Sequence, residues 1–103
     1  MPLLRLERLV EGLRKVRRVR GRRLLLIHHE GVSHVIEDRC PHMGAALARG
    51  HLDEGQLWCP KHGFCFDLAS GRRLSPPVGG GGEECLERFE IIVRAGRLGV
   101  LLD

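Results

Sequence analysis

The chain has no tyrosine, threonine or asparagine, one glutamine, one tryptophan, and two lysines against fifteen arginines. That usage fits a GC-rich genome and the shortage of thermolabile amides seen in heat-adapted proteins, and carries no information on mechanism. No apolar run approaches the roughly 20 residues needed to span a membrane. Charge at Arg5, Glu7 and Arg8 interrupts the N-terminus too early for a secretory leader. The expectation is a soluble, cytoplasmic protein. A GxGxxG run and a facial-triad pattern are both missing, and 103 residues leave room for one domain and no second catalytic module. Asp38, Asp53, Glu54 and Asp67 are isolated acids that read as turn residues, not as a catalytic pair.

Basic residues are concentrated near the start, with nine between Arg5 and Arg23 against two acidic ones, within an overall charge of +4. A nucleic-acid binder would interleave aromatics or carry a helix-turn-helix, and neither is present. Solvated strand faces account for most of these arginines, and a docking surface for an acidic partner accounts for the rest. The segment from Glu83 to Glu90 is locally acidic, so the surface reads as polarised.

Two short pairs carry the chemistry. Cys40-Pro41-His42 and Cys59-Pro60-Lys61-His62 each place a thiolate and an imidazole on a proline-stiffened turn, and sixteen residues separate them. Two such loops facing one another could grip one inorganic centre from both sides. Zinc would accept the set, and so would a [2Fe–2S] cluster with cysteines on one iron and histidines on the other. A two-disulfide scaffold is disfavoured because the pairs already claim two of the four cysteines. Cys65 and Cys85 read as free thiols, buried or partly so. His28, His29, His34 and His51 lack cysteine neighbours and read as surface or satisfied core residues.

Around the pairs stand Met43-Gly44-Ala45-Ala46-Leu47, Trp58, Gly63-Phe64-Cys65-Phe66-Asp67, Gly71 and Ser75-Pro76-Pro77. From about Ile36 to Pro77 this pattern strongly resembles the cluster-binding region of Rieske-type [2Fe–2S] ferredoxins. The resemblance implies Cys40 and Cys59 on an inner iron, His42 and His62 on an outer one, and one cluster per chain. It implies an all-β fold, an antiparallel β-sandwich of the Rieske type, with a cluster-binding subdomain at about 38–77 inserted in a single domain of 1–103. It also implies a proline loop from Ser75 that covers the cluster, with the glycines at 79–82 leading back to the base.

Function follows from the same likeness: a one-electron carrier and not an enzyme, fed by a flavin reductase and discharging to an oxygenase. The alternatives are a small subunit of a nitrite-reductase-like complex and a structural zinc module. High-potential members place a disulfide where this chain has Ala45 and Lys61, and a serine where it has Phe64. With fewer donors to the sulfurs, the expected potential lies near the bottom of the roughly −150 to +300 mV Rieske span. Amides of Met43, Gly44, Ala45, Lys61, Gly63 and Phe64 are candidates to face the cluster sulfurs. Trp58 reads as a packing anchor, and Phe64 and Phe66 as core or shield.

The flanks read as strands. A strand is expected from about Leu13 to Val19. Hairpins are expected across Glu30-Gly31 and across Ala95-Gly96-Arg97, from apolar runs on either side of a glycine turn.

Overall fold

The computed structural model describes residues 2–41, 44–60, 64–75 and 85–102. Within these the chain forms β1 (Pro2–Arg5), a 3-10 turn (Leu6–Arg8), β2 (Arg14–Val19), β3 (Arg22–His29) and β4 (Val32–Glu37). Next come β5 (Leu52–Asp53), β6 (Gln56–Trp58), β7 (Cys65–Asp67) and β8 (Arg73–Ser75), then β9 (Ile91–Arg94) and β10 (Arg97–Val100).

Four two-residue turns organise these strands: Arg20-Gly21, Glu30-Gly31, Glu54-Gly55 and Ala95-Gly96 all hold both residues at positive φ. This is the type I′ geometry, whose twist matches that of the strands it joins. Asparagine, which favours the first position, does not occur in the chain, so arginine, glutamate and alanine occupy it. The β3–β4 hairpin follows the expected register, with His29 opposite Val32. The last hairpin is one residue tighter than expected, because Arg97 already pairs with Arg94. β2 forms as expected, starting at Arg14. The short β1 was not foreseen, since four residues with two buried leucines at the centre give no alternation to read.

Three antiparallel sheets result, with strand orders β1-β10-β9, β2-β3-β4 and β5-β6-β7-β8. The β2-β3-β4 sheet lies in the middle. Leu25, Ile27 and Ile36 join one core with Leu47, Leu57, Phe66 and Leu68 from the β5–β8 region. Leu24, Leu26 and Val35 join the other, with Leu3, Leu4, Leu98 and Val100 from the β1-β10-β9 sheet. Coverage on both faces explains the unbroken apolar run from Leu24 to Ile27, because neither side of that strand meets water. The all-β expectation holds. Among the described residues, no helix is long and apolar enough to cross a membrane. The proline and glycine segment at 76–84 lies outside the described residues.

Candidate metal centre

Strand β4 delivers the first loop. Its neck is pinned at Asp38, which is almost fully buried and whose carboxylate accepts hydrogen bonds from the Leu47 amide (2.7 Å) and from Arg23 Nε (2.7 Å). The Asp38 amide in turn donates to the Arg23 carbonyl at 2.8 Å. From the sequence alone Asp38 reads as a turn acid. It is instead a buried brace tying both ends of the first loop to β3, and only the contacts of residues nine and fifteen positions away could reveal that.

Beyond the neck, the Cys40 amide donates to the Ala45 carbonyl and the Gly44 amide to the Cys40 carbonyl, both at 2.7 Å. The second loop closes in the same way, the Cys59 amide donating to the Phe64 carbonyl at 2.7 Å. Each cysteine is therefore bonded to the residue five places on, and each loop contains one histidine position of the sequence motif. His42 and His62 themselves lie outside the described residues, as do Met43, Lys61 and Gly63. Gly44 spends its amide on the turn, which removes it from the candidate donors to the cluster.

Cys40 and Cys59 enter the same core, at 0% and 2% exposure, beside Leu25, Ile27, Leu57 and Phe66. Ala45 and Phe64, the residues that close the loops, pack against that core. None of the four cysteines is in a disulfide. Two thiols held in a dry layer at the roots of two matched loops suit metal ligation, since a buried thiolate needs a cation to balance it. The donor chemistry fits an iron held by two sulfurs.

Neighbouring contacts hold the loops in place. Arg14 Nη1 reaches from β2 to the carbonyls of Ala48 (3.0 Å) and Gly50 (2.5 Å). A side chain on Gly50 would bring its Cβ within 2.1 Å of the Trp58 carbonyl, so glycine is required where the two loop stems cross. Trp58 packs, half-buried, with its ring 5.2 Å from that of His51, consistent with an anchor. The Arg73 guanidinium stands 5.1 Å over the Phe64 ring.

The remaining cysteines and histidines divide clearly. Cys65 is buried, donates to Gln56 Oε1 at 3.7 Å, and burial followed by the charge of Asp67 pushes its thiol up. Cys85 is exposed, which corrects the expectation of partial burial. His28 and His29 are satisfied by Ser33 Oγ and the Gly55 amide. His34 is buried with no hydrogen-bond partner for Nδ1, so it is a core histidine but not a satisfied one. Burial, then the charges of Arg88 and His29, lowers its pKa. Asp67 caps a turn through Ser70, and Glu54 occupies the β5–β6 turn, as expected of both. Among the described residues, no three metal-binding side chains come together.

This architecture has close relatives. A solved complex of reduced oxygenase and oxidised ferredoxin in carbazole 1,9a-dioxygenase contains a chain superposing at a TM-score of 0.81, with 26% identity over 98% of this chain and 100% of that one. The ferredoxin component of the alkene monooxygenase system of Xanthobacter autotrophicus is 36% identical over 76 residues, which is 73% of this chain and 58% of that protein. Apoptosis-inducing factor 3 of Mus musculus is 35% identical over 69 residues, 67% of this chain but only 11% of its own length. The chain thus spans little more than half of the alkene monooxygenase ferredoxin and a small part of the mouse protein. Residues 1–81 match the model of the Rieske [2Fe-2S] domain, which favours an iron–sulfur cluster over zinc. With the motif, the paired loops and this match in agreement, the chain belongs to the Rieske [2Fe-2S] domain family, whose cofactor is one [2Fe–2S] cluster.

Proposed function

We propose that this chain is a cytoplasmic one-electron carrier whose cluster is held by Cys40, His42, Cys59 and His62. The carrying observation is the pair of loops closed by the same cysteine-to-fifth-residue hydrogen bond, with both thiols in one buried core. Cys40 and Cys59 serve the inner iron, and the two histidines the outer one. The subdomain at 38–77, bearing β5 to β8, is the cluster-binding unit, and the rest of the chain is its base. When bound, the cluster supplies a site that takes up and releases a single electron. The protein contributes position and electrostatics: Asp38 and Arg14 fix the loop stems, and the apolar layer of Leu25, Leu57 and Phe66 keeps water from the inner sulfurs.

The electron donor is a flavin reductase and the acceptor an oxygenase. Support comes from the relatives: a ferredoxin component of an alkene monooxygenase system, and a ferredoxin solved in complex with its oxygenase. The test is the visible spectrum of anaerobically purified protein and its EPR spectrum after dithionite reduction. A red-brown protein whose reduced signal has an average g below that of all-cysteine clusters is expected. A colourless chain with one zinc and no sulfide would reject the proposal.

A further inference from the structure

On the side of the central sheet away from Cys40 and Cys59, a groove of about 780 Å³ opens between β1 and β2. Its walls carry Arg5, Arg8, Lys15, Arg17 and Arg97 over an apolar floor that includes Leu4 and Leu13, and among the described residues no acidic one lines it. A second groove of about 520 Å³ shares Pro2 and Arg97, adds Arg20 and Arg94, and also has no acidic lining among the described residues. Strand register places Arg5 opposite Arg97, and Arg97 opposite Arg94. Like charges stacked across strands are unfavourable unless an anion offsets them. Of the cations lining these two grooves, Arg5 alone has a carboxylate partner among the described residues, Glu7 at 3.7 Å, and both side chains are well exposed.

The groove also runs beside two sheet edges that no other described strand extends. β1 and β2 are terminal strands of their sheets. The outer edge of β4, by contrast, is covered: the Glu37 amide bonds the Glu87 carbonyl and the Phe89 amide the Val35 carbonyl. Unpaired edges accept an extended chain by strand addition. Among the described residues no aromatic side chain lines the groove to stack a base, and its concave form suits a chain better than a flat lipid surface.

We propose that this groove seats an extended, acidic segment of a protein partner, tethering the carrier by its base. The identity of the partner as a redox protein rests on the carrier reading. The groove adjoins the core of Leu3, Leu4 and Leu98, whereas the thiols belong to the core on the opposite face of the β2-β3-β4 sheet. Packed layers are about 10 Å apart, so a segment bound here lies across the sheet from the cysteine loops and leaves them uncovered. It would hold the carrier while its cluster end stays free to face donor and acceptor in turn.

The test titrates the holoprotein with a short fluorescent peptide of alternating glutamate and valine, at low salt and at about 0.15 M salt. Amide NMR shifts are followed at Leu4, Lys15 and Arg97. The expected result is binding that perturbs these three residues and weakens at the higher salt. It should weaken at least about tenfold in the triple variant Arg8→Glu, Lys15→Glu, Arg97→Glu, and stay unchanged in Arg49→Glu. If the triple variant fails to fold, Arg8→Glu alone at its exposed site should still weaken binding severalfold.

Several results would overturn the proposal. They are no binding to folded holoprotein, shifts confined to the cysteine loops, or tighter capture in the groove of an oligonucleotide or of anionic phosphatidylserine vesicles. A triple variant that binds peptide normally but self-associates would assign the cations to edge protection alone. The carrier reading fails on different readouts, the visible band and the reduced EPR signal, recorded on the same sample before peptide is added.

Discussion

The two cores share strand β3 residue by residue, yet they are built differently. Leu24 and Leu26 enter a layer whose buried members are all aliphatic. Leu25 and Ile27 enter one that also takes up Cys40 and Cys59, with buried Asp38 and half-buried Arg14 bracing the loops above it. One layer buries aliphatic side chains alone, and the other also holds the two thiols of the candidate metal centre. Two dry thiols are thus seated on one face of a sheet whose other face carries the ordinary burden of folding.

The sharpest way to break the comparison is at the thiols. Cys59→Ser is expected to abolish the visible absorption of the cluster, whereas the exposed Cys85→Ser should leave it intact; absorption spectra of the purified variants decide. Next are the adjacent leucines. Leu25→Ala and Leu26→Ala should each cost about 2–5 kcal/mol in denaturant unfolding, as cavity-forming truncations do. Only Leu25→Ala, on the cysteine side, should also speed loss of the visible band at a temperature where both variants remain folded.

A smaller effect is expected at the brace. Asp38→Ala leaves the buried Leu47 amide without its acceptor, for about 1–3 kcal/mol measured by thermal or urea unfolding, while Asp38→Asn should recover part of that loss. The smallest prediction concerns pH. His34 has its pKa lowered in the folded chain, chiefly by burial, so the unfolded chain binds the proton more readily. Its contribution is therefore intact above the unfolded value of about 6.5 and is lost as pH falls below it towards the lower folded value. Unfolding free energy followed between neutral and mildly acidic pH should decline less steeply in His34→Leu. An equal slope in both proteins would remove His34 as the cause.

Much of the architecture was legible in the residues. Glycine turns flanked by apolar runs marked the β3–β4 hairpin and the final one, because a two-residue turn and its strands are local. The β2–β3 turn at Arg20-Gly21 was visible only as a glycine bounding a strand, since the chain lacks the asparagine that usually signals a type I′ turn. β1 escaped notice because its pairing partner, β10, is more than ninety residues away. The buttresses of the site escaped for the same reason: Arg14 reaches Ala48 and Gly50, and Arg23 reaches Asp38, across separations that no local pattern records.

By itself the sequence determined the family, because the two cysteine–histidine pairs and the residues around them are properties of the chain and match the Rieske [2Fe-2S] domain. It determined strand character as well, through alternation and turn residues. Only the tertiary structure decided that both cysteines share one dry core, that their loops close by matching hydrogen bonds, and that cations gather beside two terminal strands on the far side of the sheet. Burial and charge clustering are sums over residues distant in sequence, and they acquire values only once the sheets have packed.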